Sequence, residues 1–214
     1  MKRVLLAAVL SAPLWVSMSV HASEAALDPI TQGNAEAGAA KAAACGACHG
    51  PGGNSANPEW PKLAGQSSRF IVEQLQQFKS GKRMNPLMAG QAAALSDQDM
   101  KDIGAYYAAQ KAGPGVASEA AVTAVQGLYR GGDATRGLPA CAACHGPVGA
   151  GVAPAAYPRI GGQHSVYVAN RLRLYRDAAK TTLPDGNFKS MAAVAGKLSD
   201  QEIEALASYV NGLH

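Results

Sequence analysis

Cys45-Gly46-Ala47-Cys48-His49 and Cys141-Ala142-Ala143-Cys144-His145 are two copies of one pattern, C-x-x-C-H. Each is followed by glycine, Gly50 or Gly146, and together they use all four cysteines of the 214-residue chain. The pattern is the attachment sequence of c-type haem. Two thiols three positions apart can each form a thioether with one vinyl group of the same porphyrin. The adjacent histidine is then held beneath the iron as a nitrogen ligand. The leading reading is two covalently bound haem c groups, held by Cys45 and Cys48 and by Cys141 and Cys144, with His49 and His145 on the irons. Two alternatives stand beside it. Four thiolates suit tetrahedral zinc, although an all-thiolate site has no use for the histidines. A redox dithiol belongs in a βαβ context, and no stretch here reads as strand.

Outward from the motifs the chain is a tandem repeat. Gly33-Asn34-Ala35-Glu36-Ala37-Gly38 answers Gly132-Asp133-Ala134-Thr135-Arg136-Gly137, and Asn34 and Asp133 are expected to cap a helix running into each motif. Pro139 predicts that the second of these helices is shorter or distorted. Beyond the motifs, Pro51-Gly52-Gly53-Asn54 and Pro147-Val148-Gly149-Ala150-Gly151 read as loops. Next, Trp60-Pro61-Lys62-Leu63-Ala64-Gly65-Gln66 matches Tyr157-Pro158-Arg159-Ile160-Gly161-Gly162-Gln163. A helix follows in each half, with Phe70, Ile71, Leu75 and Phe78 at the offsets of Tyr167, Val168, Leu172 and Tyr175.

Each half then carries a methionine in a segment expected to be loop. Met88 lies seven residues before Leu95-Ser96-Asp97, and Met191 seven before Leu198-Ser199-Asp200. Ser96 and Ser199 are N-cap signals for closing helices that align Met100 with Ile203, Ile103 with Leu206 and Tyr106 with Tyr209. The expected fold is all-α, two lobes of similar size each enclosing one haem. Their bounds are residues 23–112 and 120–214, with a Gly/Pro linker at 113–119.

The sixth iron position decides the chemistry. A methionine thioether is a soft ligand that favours ferrous iron, whereas an open position admits small molecules. Repeat equivalence selects Met88 and Met191; Met84 competes with Met88, and its register in the second half holds Asn187. The carbonyls of Pro61 and Pro158 are candidate acceptors for the second N–H of each histidine, with loop stiffening the alternative. Arg171, Arg173 and Arg176 form a basic strip, either a solvated face or a site for propionates or a partner. His164 and His214 read as solvated or capping groups.

Lys2 and Arg3 precede an apolar stretch from Val4 to Val20, and Val20-His21-Ala22 supplies a small residue at a cut. Residues 1–22 are therefore expected to be a secretory signal cleaved after Ala22, leaving 192 of the 214 residues in the mature protein. Export to the periplasm follows. The net charge of +4 falls to +2 without Lys2 and Arg3, too little basic surface for a nucleic-acid partner.

Taken together, the two C-x-x-C-H lobes, the Trp/Tyr-Pro-Lys/Arg-x-x-Gly-Gln segments and the Met-x6-Leu-Ser-Asp spacings resemble the dihaem cytochrome c4 family over essentially the whole mature chain. The resemblance implies two class I cytochrome c domains related by an approximate two-fold axis. It implies haem on Cys45, Cys48, Cys141 and Cys144, and iron ligation by His49, Met88, His145 and Met191. It further implies electron transport in the respiratory chain, from a quinol-oxidising complex toward a terminal oxidase, with peripheral membrane association. A dihaem peroxidase and a cytochrome subunit of a larger complex are the competing readings; the two equivalent methionines argue against the peroxidase.

Overall fold

The computed structural model describes residues 29–180 and 186–214. The expected signal segment lies outside the described residues, as does most of the insertion running from Thr181 to Asn187 in the second half. Among the described residues the chain is helical and contains no strand, only isolated bridges between Asp133 and Leu138 and between Val152 and Tyr157.

Local sequence explains most helix starts. In lobe one, α1 (Ala35–Ala42) begins where the Asn34 side chain accepts the Ala37 N–H, and α2 (Gly46–His49) is the single turn carrying the first motif. Ser67 caps α3 (Ser68–Lys79). Asn85, with Pro86 in the first turn, caps α4 (Pro86–Ala93). A reciprocal capping box of Ser96 and Asp99 opens α5 (Asp97–Ala108). Lobe two repeats the order. Its helices are α6 (Glu119–Gly131), α7 (Cys141–His145), α8 (Ser165–Ala178), α9 (Asn187–Ala195) and α10 (Asp200–Asn211), the last opened by Ser199 and Glu202. Met88 and Met191 therefore sit on short helices, α4 and α9, and not in loops. Asn85-Pro86 carried the helix signal in the first case: an N-cap followed by a proline whose missing N–H costs nothing in the first turn.

The first helix of lobe two departs from the repeat. Asp133 caps only a 3₁₀ turn, Ala134–Arg136. Four residues separate Gly137 from Cys141, and Pro139 falls among them, so a helix has no room there. The helix that packs on α10 is supplied instead by α6, upstream of Gly132. In lobe one the corresponding crossing is α1 on α5, and Gly38 makes it possible. A Cβ at Gly38 would collide with the Asp102 carbonyl and the Tyr106 side chain.

Each lobe has its own apolar core. Ile71, Val72, Leu75, Phe78, Met100, Ile103 and Tyr107 fill lobe one. Val125, Tyr129, Leu138, Ile203, Leu206, Tyr209 and Val210 fill lobe two, where the α8 stripe of Val168, Leu172 and Tyr175 is only half-buried. The linker is pinned on both sides. Gly113 N–H donates to the Asn54 side chain at 2.8 Å, and Val116 N–H to the Asn211 side chain at 3.1 Å.

Candidate functional site

In each motif a single helical turn brings the second cysteine and the histidine back over the first cysteine. The Cys45 carbonyl accepts the N–H groups of both Cys48 and His49, at 3.2 and 2.9 Å. Gly50 and Gly146 end these turns at φ of 75° and 81°, a conformation that glycine adopts without strain. The chain then loops out and returns. Leu63 and Ala64 N–H groups both donate to the Gly53 carbonyl, and Ile160 and Gly161 do the same to Gly149. This clasp sets the preceding proline carbonyl against the motif histidine.

His49 Nδ1 lies 2.8 Å from the Pro61 carbonyl and His145 Nδ1 lies 2.9 Å from that of Pro158. A carbonyl only accepts, so Nδ1 carries the proton and Nε2 keeps its lone pair. Both rings are buried, 8% and 7% exposed. Burial pushes their pKa values below the ordinary histidine value, opposed in part by the carbonyl bond, and so favours the neutral ring. Nε2 has no hydrogen-bond partner among the described residues, although no enclosed side-chain nitrogen or oxygen there is left unsatisfied. A neutral imidazole with a fixed tautomer and a free Nε2 is what a metal-bound histidine needs, so the residues present fit a haem iron.

The candidate sulfur ligands separate clearly. Met84 is 91% exposed, while Met88 is half-buried and packs against the lobe-one core. Met191 is half-buried on α9. No cysteine is in a disulfide. Among the described residues no group of three or more His, Cys, Asp or Glu side chains is placed to hold a metal ion, so the two cysteine pairs do not converge on a zinc site.

The arginine strip is a partly solvated face laced by surface contacts: Arg173 pairs with Glu204, Arg176 with Asp200 at 2.8 Å, and Arg171 lies over the Tyr175 ring. These contacts tie α8 to α10 and to itself. His164 stands at the N-cap position of α8 but its side chain makes no capping bond; its Nε2 instead donates across the lobe interface to the Ser55 carbonyl at 2.8 Å.

The repeated Lys/Arg-x-x-x-Gln segments face each other across that interface, a role the sequence reading did not assign. Gln66 pairs with the backbone of Arg159, and Gln163 with the backbone of Lys62. The recurrence of glutamine at one register was the available signal. Lys62 Nζ also donates to the Gly162 carbonyl at 2.9 Å and to the linker carbonyls of Gly113 and Pro114. Burial there lowers the pKa of its ammonium group.

Comparison with known proteins matches these features. The sequence model of the Cytochrome c family covers residues 35–110 and again 132–214. Cytochrome c4 of Pseudomonas aeruginosa is 48% identical over 182 residues, spanning 85% of this chain and 90% of that protein. A thiosulfate dehydrogenase electron acceptor of Stutzerimonas stutzeri is 36% identical, spanning 92% of this chain and 90% of that protein. The crystal structure of reduced recombinant cytochrome c4 from Pseudomonas stutzeri superposes with a TM-score of 0.80 at 46% identity, covering 85% of this chain and all of that one. Two matched segments, two attachment motifs and two buried neutral histidines lead to one conclusion: the chain belongs to the cytochrome c4 family of dihaem electron carriers, two tandem class I cytochrome c domains each with a covalently bound haem c.

Proposed function

We propose that the protein shuttles electrons between redox partners in the periplasm and turns over no substrate at iron. Cys45 and Cys48, and Cys141 and Cys144, form the thioethers. His49 with Met88, and His145 with Met191, ligate the two irons. Bound haem c supplies one-electron exchange at its iron. Pro61 and Pro158 hold each histidine ring in one tautomer and orientation. Met88 and Met191 would offer the iron neutral thioethers, soft ligands that favour its ferrous state and would leave no open site for peroxide. The observation that carries this reading is the contrast between solvent-facing Met84 and core-packed Met88, at the register repeated by Met191.

The domains run over residues 23–112 and 120–214 with a linker at 113–119, after a signal removed at Ala22. No helix among the described residues is long and apolar enough to cross a membrane, and the family's association with membranes is taken as peripheral. A quinol-oxidising complex donates and a terminal oxidase accepts. A second donor, a thiosulfate-oxidising enzyme, is favoured by the relative named as such an enzyme's electron acceptor.

The test is the weak far-red band of the oxidised holoprotein, which reports iron–thioether bonding. Met88→Ala and Met191→Ala are each expected to remove about half of it, and Met84→Ala none. Stopped-flow mixing then separates the functions. Rapid peroxide turnover with both methionines intact, and no oxidation by membranes bearing an oxidase, would overturn the carrier reading.

A further inference from the structure

The lobe interface carries a symmetric arrangement that holding two domains together does not by itself require. Lys62 N–H donates to Gln163 Oε1 at 2.9 Å, and Gln163 Nε2 donates to the Lys62 carbonyl at 2.9 Å. In the two-fold counterpart, Arg159 N–H donates to Gln66 Oε1 at 3.0 Å and Gln66 Nε2 to the Arg159 carbonyl at 2.6 Å. Both glutamines are buried. The Lys62 N–H belongs to the same peptide group as the Pro61 carbonyl, which accepts the His49 proton. The Arg159 N–H shares its peptide with Pro158, the acceptor for His145. Each haem histidine thus leans on a peptide whose far end is gripped by an amide of the opposite lobe.

We propose that Gln163 and Gln66 are positioning residues that act across the interface. Gln163 sets the strength of the hydrogen bond at His49 and Gln66 that at His145, so each lobe tunes the reduction potential of the other lobe's haem. The inference rests on histidine ligation as read above. Its physics is hydrogen-bond cooperativity. When a peptide N–H is drawn to an acceptor, its carbonyl becomes a better acceptor, by roughly 10–30% per bond. A better acceptor holds the histidine N–H more tightly and makes the ring a more basic ligand. A more basic ligand favours ferric iron and lowers the potential. Loosening the grip raises it.

The test is a redox titration of the dihaem holoprotein, following haem-methyl NMR signals assigned to each lobe. Gln163→Met keeps the volume and deletes both bonds to Lys62, together with the bond that Gln163 Oε1 accepts from its neighbour His164 N–H at 3.0 Å. It is expected to shift the lobe-one haem about threefold toward the reduced form at fixed potential, about 30 mV at about 59 mV per tenfold, with lobe two unmoved. Gln163→Glu accepts more strongly from Lys62 N–H and is expected to shift the same haem the other way. Gln66→Met is expected to move lobe two only. Tyr167→Phe removes a different cross-lobe bond, the one from Arg83 at 3.0 Å, and is expected to move neither haem. Equal shifts in both lobes, a shift in the variant's own lobe, or the same sign for the Met and Glu variants would show mere loosening of the interface and overturn the proposal. So would unmoved potentials with the far-red band retained. Absence of that band from the unaltered protein would instead overturn the ligation reading.

Discussion

Lobe one and lobe two build the same surroundings for their first motif cysteine from different residues. In lobe one, Tyr106 and Tyr107 are neighbours on α5 with ring centroids 5.1 Å apart, and buried Tyr107 lies against Cys45. In lobe two the pair is Tyr129 of α6 and Tyr209 of α10, 5.2 Å apart, with buried Tyr129 near Cys141 and donating to the Gly146 carbonyl at 2.8 Å. The register of Tyr107 holds Val210. The backbone does not notice: Gly65 N–H reaches the Tyr107 carbonyl at 2.9 Å, and Gly162 N–H reaches that of Val210 at 3.0 Å. Burial raises the pKa of both Tyr107 and Tyr129 above the ordinary phenol value, so both stay neutral and act as packing groups. What a repeat preserves is a filled volume beside the cofactor, and a neighbouring helix can supply the ring.

The helix crossings differ for a related reason. Where α1 meets α5, Lys41 bridges Asp99 at 2.6 Å and buried Asp102 at 2.7 Å, and Asp102 also accepts the Asn34 N–H at 2.9 Å. Lobe two has Ala205 at the register of Asp102. Its charge cluster, Arg136 with Asp133 and Glu202, lies at the surface beside the 3₁₀ turn. Lobe one therefore locks its crossing with a buried carboxylate, and lobe two with apolar contacts from α6.

Four expectations put this contrast at risk, each read by denaturant unfolding of the holoprotein. Tyr129→Ala and Tyr107→Ala should each cost about 4 kcal/mol, because each removes a buried ring and leaves a cavity. If either costs under about 1 kcal/mol, the two tyrosines are not equivalent. Tyr129→Phe sharpens the comparison, with about 1 kcal/mol lost for the Gly146 bond alone.

Gly38→Ala should cost about 3 kcal/mol, since the added methyl meets backbone at the α1–α5 crossing. Gly127→Ala on α6 meets nothing within 4 Å and should gain about 0.5–1 kcal/mol from helix propensity. Equal effects at the two glycines would mean that the backbones do not approach closely at Gly38.

Asp102→Ala should cost about 2 kcal/mol, for a buried carboxylate that accepts from Asn34, Lys41 and Gln98. Arg136→Ala, at an exposed network, should cost far less than Asp102→Ala.

The smallest effect is on acid sensitivity. The Asn34 N–H, Lys41 and Gln98 lower the Asp102 carboxyl from its ordinary value to about 2. A depressed folded value contributes stability above the unfolded pKa of about 3.9, and that contribution is lost as pH falls toward about 2. Asp133 also falls to about 2, held by its near neighbours Thr135 and Arg136, but its side chain is 30% exposed against 5% for Asp102, so solvent screens it more. Asp102→Asn should therefore flatten the dependence of stability on pH between about 4 and 2 more than Asp133→Asn does.

Much of the molecule was legible in the residue order. Both attachment motifs, the closing helices with their serine caps, and the α3 and α8 stripes follow from short-range pattern. The proline carbonyls could be named as histidine partners because 12 or 13 residues of Gly/Pro-rich loop suffice to double back. The placement of α6 was missed because Gly132-Asp133 imitates the Gly33-Asn34 cap, while the helix it seems to announce has no room before Pro139. The helical state of the Met88 segment was missed because a short apolar stretch rich in alanine has weak periodicity.

The sequence by itself determined chemistry that is local along the chain: which cysteines and histidines form each attachment turn, where helices open, and that the pattern occurs twice. Those depend on spacing within a turn or two, and one-dimensional order encodes such spacing directly. The tertiary structure decided which groups meet across long separations. Tyr129 replaces Tyr107 beside the motif, Asp102 is neutralised by Lys41, and Gln163 and Gln66 grip the opposite lobe's proline peptides. Each of these contacts joins positions 60 or more residues apart or swaps a residue between helices. No local propensity specifies such a pairing, and only the close packing of two filled lobes does.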